Sequence, residues 1–128
     1  MKRVFLDANV LFSAAYRKDA GLLRLWDLAG TDLLTSAYAA EEARRNLDSP
    51  EQRMRLEALL ARIEIVPEST ASLPSGLRLP EKDQPILKAA LAAGATHLVT
   101  GDVKDFGRFF GKKALGILIV TPSDLLRS

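Results

Sequence analysis

Five carboxylates stand out by type and setting: Asp7, Glu42, Asp83, Asp102 and Asp105. Asp7 closes the apolar run Val4-Phe5-Leu6, and Asp102 follows Leu98-Val99-Thr100 after a single glycine. Asp105 comes three residues later, Asp83 precedes an apolar helical pattern, and Glu42 falls inside another. On that helix Glu42 shares a side with Tyr38, Arg45 and Asn46. Carboxylates gathered in one cleft repel each other and resist ionisation. A hard divalent cation relieves the repulsion, so the chemistry open to such a set is Mg²⁺ or Mn²⁺ binding through oxygen. The composition narrows the alternatives. The 128 residues include no cysteine, which excludes disulfides, thiol nucleophiles and thiolate metal sites, and one histidine, His97, which excludes a multi-histidine zinc centre. Taken singly, each aspartate reads equally well as a helix cap and Glu42 as a solvated residue. His97 reads better as a strand residue than as a ligand.

The elements that must position these groups follow from periodicity. Short strands are expected at 4–6, 32–35, 65–66, 97–100 and 117–120. Helices are expected after Asp7, at 19–30 (Leu22, Leu25, Trp26 and Ala29, stopped by Gly30), at 37–47, at 50–63 and at 83–93, with a short one opened by Pro122. Ser49-Pro50-Glu51-Gln52 has the form of a capping box, and Leu56, Leu59, Leu60 and Ile63 form that helix's apolar stripe. Residues 67–80, rich in proline, serine and glycine, read as a long loop. Strands alternating with helices imply an α/β sandwich with a mainly parallel sheet. In such a sheet functional groups gather at the carboxyl ends of the strands, where Asp7 and Asp102 fall. Asp83 is placed to cap its helix and to face the same edge.

The length fits one domain. The first apolar stretch is cut by Asp7, too early for a signal peptide, and no run approaches the ~18 apolar residues of a membrane span. A cytoplasmic protein without membrane contact is expected. With 18 basic and 16 acidic residues the formal charge is only +2. If five acids share one cleft, 18 basic groups face 11 acidic ones elsewhere, a surface able to attract a phosphate backbone.

These residues, in this order, resemble the PIN domain family, in particular its VapC-type toxins. FLDANVLFSA resembles the family's opening strand, with Asp7 as first metal ligand and Asn9 as its neighbour. TSAYAAEEARRNL resembles the second motif, with Ser36 starting the helix, Glu42 at the acidic position and Leu47 at the apolar one. KDQPILKAALAAGATHLVTGDVKDF resembles the third and fourth, carrying Asp83, Thr100, Asp102 and Asp105, and GILIVTPSDLL the closing strand and helix. The resemblance spans residues 1–128 as a single domain, apart from 67–80, and implies a three-layer α/β/α sandwich with a central, mainly parallel sheet. It further implies a metal-dependent endoribonuclease acting on single-stranded RNA. Asp7, Asp83 and Asp102 would bind one Mg²⁺ or Mn²⁺. Glu42 and Asp105 would complete the cluster and a second ion, in a hydrolysis leaving a 5′-phosphate. Asp7, Glu42, Asp83 and Asp102 are the expected catalytic set, with Asn9, Ser36 and Thr100 orienting carboxylates. Arg44 and Arg45, with Arg53 and Arg55 beside them, and Arg108, Lys112 and Lys113 are candidate phosphate contacts; a solvated charged surface is the plain alternative. A toxin implies an antitoxin partner and a homodimer, with the helices at 19–30 and 50–63 as the expected contact elements.

Three other readings fail on the residues. A phosphoacceptor receiver wants an acidic pair after the first strand. A haloacid-dehalogenase-type phosphatase wants aspartate where Asn9 stands. Gly107 to Lys113 lacks the spacing and the hydroxyl of a phosphate loop. A non-catalytic PIN-fold module binding RNA or protein, and a housekeeping RNA-processing nuclease, remain as alternatives.

Overall fold

The computed structural model describes residues 1–74, 79–102, 106–109 and 111–127. Asp105, and the side chain of Arg108, lie outside the described residues. The strands are β1 (Lys2–Leu6), β2 (Thr31–Ser36), β3 (Glu64–Val66), β4 (His97–Val99), β5 (Lys113–Ala114) and β6 (Ile117–Val120). They form one sheet in the order β3-β2-β1-β4-β6-β5, parallel throughout except for the β5–β6 hairpin. The helices are α1 (Ala8–Tyr16), α2 (Ala37–Asn46), α3 (Pro50–Leu60), α4 (Gln84–Ala92) and α5 (Pro122–Arg127). α1 packs on α2 and α3. Right-handed crossovers put the β1-to-β3 helices on one face and, once the order reverses, α4 on the other. The result is the three-layer sandwich. Both faces are covered, which is why the strands read as continuous apolar runs. Phe5, Leu6, Leu34, Leu98 and Ile119 are wholly buried. Each contributes roughly 1.5–3 kcal/mol of transfer free energy.

The capping box at α3 forms as expected: Ser49 Oγ accepts from Gln52 N at 3.1 Å, and Gln52 Oε1 accepts from Ser49 N at 3.1 Å. One expectation is corrected. The helix expected at 19–30 is a seven-residue 3₁₀ segment, Gly21–Asp27. Leu22 and Leu25 of the segment and Leu28 just after it recur every three residues, the 3₁₀ repeat, and no side chain caps its start. Trp26 anchors it by donating Nε1–H to Leu59 O at 3.1 Å. No strand is expected from the sequence at β5, whose two residues are too short for alternation to reveal. Its turn places Leu115 and Gly116 at φ 53° and 86°, as a two-residue hairpin turn requires. No helix among the described residues is long and apolar enough to cross a membrane.

Candidate active site

Among the described residues, the buried polar side chains are Asp7, Thr35, Ser36, Asp83 and Thr100. Four of them sit where β1, β2 and β4 end. Leu6 pairs with Val99 and Phe5 with Leu34, so continuing the register sets Asp7 level with Thr100 on one side and Ser36 on the other. From β1 the chain proceeds outward to β2 and β3, whereas β4 lies on the opposite side of β1. The crevice between β1 and β4 is thus the topological switch point, where the flanking connections diverge and leave an opening.

Asp7 follows β1 and caps α1: its Oδ1 accepts from Ala8 N at 2.7 Å. Its Oδ2 accepts from Thr100 Oγ1 at 2.8 Å and from Asn9 Nδ2 at 3.3 Å. Thr100 Oγ1 also accepts from Asp102 N at 3.1 Å, and Asn9 Oδ1 from Gly101 N at 2.8 Å. Asn9 and Thr100 thereby stitch the ends of β1 and β4 together and fix Asp7 relative to the Asp102 backbone. Ser36 is placed differently. Its hydroxyl accepts from Ala39 N at 3.2 Å and caps α2, so the structure gives it a helix-starting role instead of a bond to a carboxylate. Asp83 ends a 3₁₀ turn, Glu81–Asp83, and its side chain makes no cap bond to α4. The expected cap is absent, and the buried carboxylate borders the cavity.

That cavity measures about 730 Å³, within the range of ligand sites. Asp7, Glu42, Asp83 and Asp102 all line it, with Asn9, Asn46 and Lys82. Asn46 Nδ2 donates to Glu42 O at 2.9 Å, one helical turn back. Lys82 is a lining residue that sequence reasoning missed; its signal is adjacency to Asp83. Burial is the main reason Asp7 holds its proton above the usual carboxylate range. Hydrogen bonds from Thr100 and Ala8 oppose this, while the charges of Glu42 and Asp102 add to it. These acids therefore share one electrostatic neighbourhood. Among the described residues no three carboxylates or imidazoles already close around a single ion. The donor set still suits a hard cation: it is all oxygen, converges on one open cavity, and holds a buried acid that ionisation penalises. Mg²⁺ needs only one or two direct carboxylates and keeps several waters.

The basic residues are placed unevenly. Arg44 is paired with Glu41 and Glu57. Arg53 Nη2 donates to Leu47 O at 2.6 Å, and Arg55 donates to Ala15 O and Tyr16 O, both at 2.9 Å. Arg45 is exposed and close enough to Tyr38 for its charge to act on that hydroxyl. Lys113, on edge strand β5, is level with His97 through Leu118, and neither it nor Lys112 lines the cavity. His97 starts β4, and its ring is less basic than usual, through burial first and then the charges of Lys2 and Lys113.

A family model described as PIN domain matches residues 3–104. The chain belongs to the PIN domain family. PIN domains are generally nucleases. A search of curated protein sequences finds no match. Among solved structures, the chain is similar to VapBC2 from Rickettsia felis bound to a DNA fragment from its promoter (TM-score 0.64, 19% identity, 93% of this chain and 98% of that one). It is similar to FitAB bound to the IR36 DNA fragment (TM-score 0.62, 20% identity, 93% and 94%). It is also similar to VapBC-1 from nontypeable Haemophilus influenzae (TM-score 0.58, 18% identity, 94% and 98%). At such identities the likeness establishes the fold: this PIN domain is the expected α/β sandwich over nearly its whole length.

Proposed function

We propose that this PIN domain is a Mg²⁺- or Mn²⁺-dependent endoribonuclease for single-stranded RNA, the toxin of a toxin–antitoxin pair that forms a homodimer. The observation that carries the nuclease reading is the convergence of Asp7, Glu42, Asp83 and Asp102 on one cavity at the switch point of the sheet. Asp7, Asp83 and Asp102 would hold the metal, with Glu42 and Asp105 completing the acidic set. The bound ion would supply an activated water and charge stabilisation for phosphodiester hydrolysis. The chain's own part is placement. Thr100 and Asn9 hold the Asp7 carboxylate, and Asp102 is fixed through its backbone bond to Thr100. Lys82, which lines the cavity with Glu42, and the exposed Arg45 on the Glu42 helix are the basic residues placed to meet the RNA backbone. The toxin reading is supported by the folds it resembles, three solved as VapBC or FitAB assemblies.

Incubation with single-stranded RNA tests the activity. Cleavage that needs Mg²⁺ or Mn²⁺ and that EDTA removes is the expected result. An absence of cleavage together with an absence of metal binding by calorimetry would instead favour a non-catalytic binding module. Co-expression with the neighbouring reading frame tests the partner: an antitoxin should copurify and suppress cleavage.

A further inference from the structure

The Tyr38 ring packs against the core, but neither the core nor the carboxylate set explains its hydroxyl. Tyr38 is the second residue of α2, half-buried, one helical turn before Glu42 and on the same side of the helix. Its two polar ends are both engaged with the long connection between β3 and α4. The backbone N–H donates to Glu68 Oε2 at 3.0 Å, where that connection begins. The phenolic hydroxyl donates to Lys82 O at 3.0 Å, where it ends, one residue before Asp83. The turn bearing Asp83 is closed on itself by Asp83 N donating to Pro80 O at 2.9 Å, so whatever holds Lys82 also places Asp83. Burial raises the Tyr38 hydroxyl's pKa, and the charges of Glu42, Asp83 and Asp7 raise it further, against Arg45. The hydroxyl therefore feels the charges of Glu42, Asp83 and Asp7.

We propose that Tyr38 is a positioning residue that sets Asp83 against Glu42 by pinning both ends of the β3-to-α4 connection to the first turn of α2. The inference rests on the metal-site reading above. Asp83 lies on a 3₁₀ turn leading into α4, unlike Asp7 and Asp102, which Thr100 ties to the end of β4. A connection this long has many closures of similar free energy, and its ends need local anchors. Tyr38 supplies both.

The test is calorimetric titration of the full chain with Mn²⁺, comparing wild type with Tyr38→Phe, which keeps the ring and removes only the hydroxyl. Losing one net hydrogen bond to the Asp83 turn should weaken Mn²⁺ binding about three- to tenfold. Far-UV circular dichroism should be unchanged. RNA cleavage by Tyr38→Phe should fall at limiting Mn²⁺ and recover at saturating Mn²⁺, with KM for RNA unaltered. Equal Mn²⁺ affinity in the two proteins would overturn the proposal while leaving the metal site intact. So would a loss of cleavage that excess Mn²⁺ does not restore, which would make the hydroxyl a substrate contact. A wild type that binds no Mn²⁺ would overturn the metal-site reading and this inference with it.

Discussion

The carboxyl edge of the sheet and the helical layer formed by α1, α2 and α3 are both rich in charge, but they use it in opposite ways. In the helical layer charges meet partners that close the structure. Arg55 donates to the last carbonyls of α1, Arg53 to Leu47 O at the end of α2, and Arg44 to Glu41 and Glu57. Helix C-termini leave carbonyls without intrahelical donors, and cations there complement the helix dipole. At the sheet edge, four carboxylates face one cavity, and burial makes the ionised form of Asp7 unfavourable. One region is built for stability and the other tolerates electrostatic cost. A basic residue at helical spacing from an acidic site is therefore poor evidence for phosphate contact until the needs of nearby helix ends are met.

The sharpest way to break this contrast is to remove acids at the edge. Asp102→Asn or Asp83→Asn should lower RNA cleavage by about 10²-fold or more, since electrostatic groups acting on the transition state carry effects of that size. The unfolding midpoint in denaturant should barely move. In the helical layer the pattern should invert. Arg55→Ala removes two charge-assisted bonds to Ala15 O and Tyr16 O and should cost about 1–3 kcal/mol in urea unfolding. Cleavage per folded molecule should stay the same. Ser49→Ala removes the α3 cap and should cost about 1 kcal/mol, again without an effect on cleavage.

The smallest effect is a pH dependence. Arg44 holds the Glu57 carboxyl below its usual range, chiefly through their hydrogen bond. Glu57 is thus more acidic folded than unfolded, so its contribution is present above the ordinary glutamate range and is lost as pH falls through the lowered value. Both side chains are substantially exposed, which limits the contribution to a few tenths of a kcal/mol. Glu57→Gln should reduce stability slightly at pH 7 and not at pH 3, measured by urea unfolding at the two pH values.

Most of the sheet was legible because a buried parallel strand writes itself as an uninterrupted apolar run, as in Val4-Phe5-Leu6 and Ile117 to Val120. The α3 start was legible because capping is local chemistry. What escaped leaves little local trace or depends on contacts between segments distant in sequence. The 3₁₀ segment at Gly21–Asp27 differs from a helix only in the repeat of its leucines, and β5 exists because β6 templates it. The acids that share the cavity were visible as types and spacings. The roles of several neighbours were not: Arg53 serves a carbonyl at the end of α2, Arg55 serves carbonyls 40 and 39 residues back, and Tyr38 and Lys82 meet across 44 residues.

Asp7→Asn, followed by thermal unfolding and RNA cleavage with and without Mn²⁺, tests the separation of function from stability most directly. Asp7 has its pKa raised, chiefly by burial, so its ionisation opposes folding. Its stabilising contribution is full below the ordinary aspartate range and declines as pH rises through the raised value. At neutral pH and without metal, Asp7→Asn should therefore unfold at the same temperature as wild type or higher. It should lose the stabilisation that Mn²⁺ gives wild type, about 2.7 kcal/mol at a hundredfold excess over Kd, and cleave no RNA. A variant that keeps both the Mn²⁺-induced shift and the cleavage of wild type, or one that unfolds at a clearly lower temperature without metal, would contradict the account.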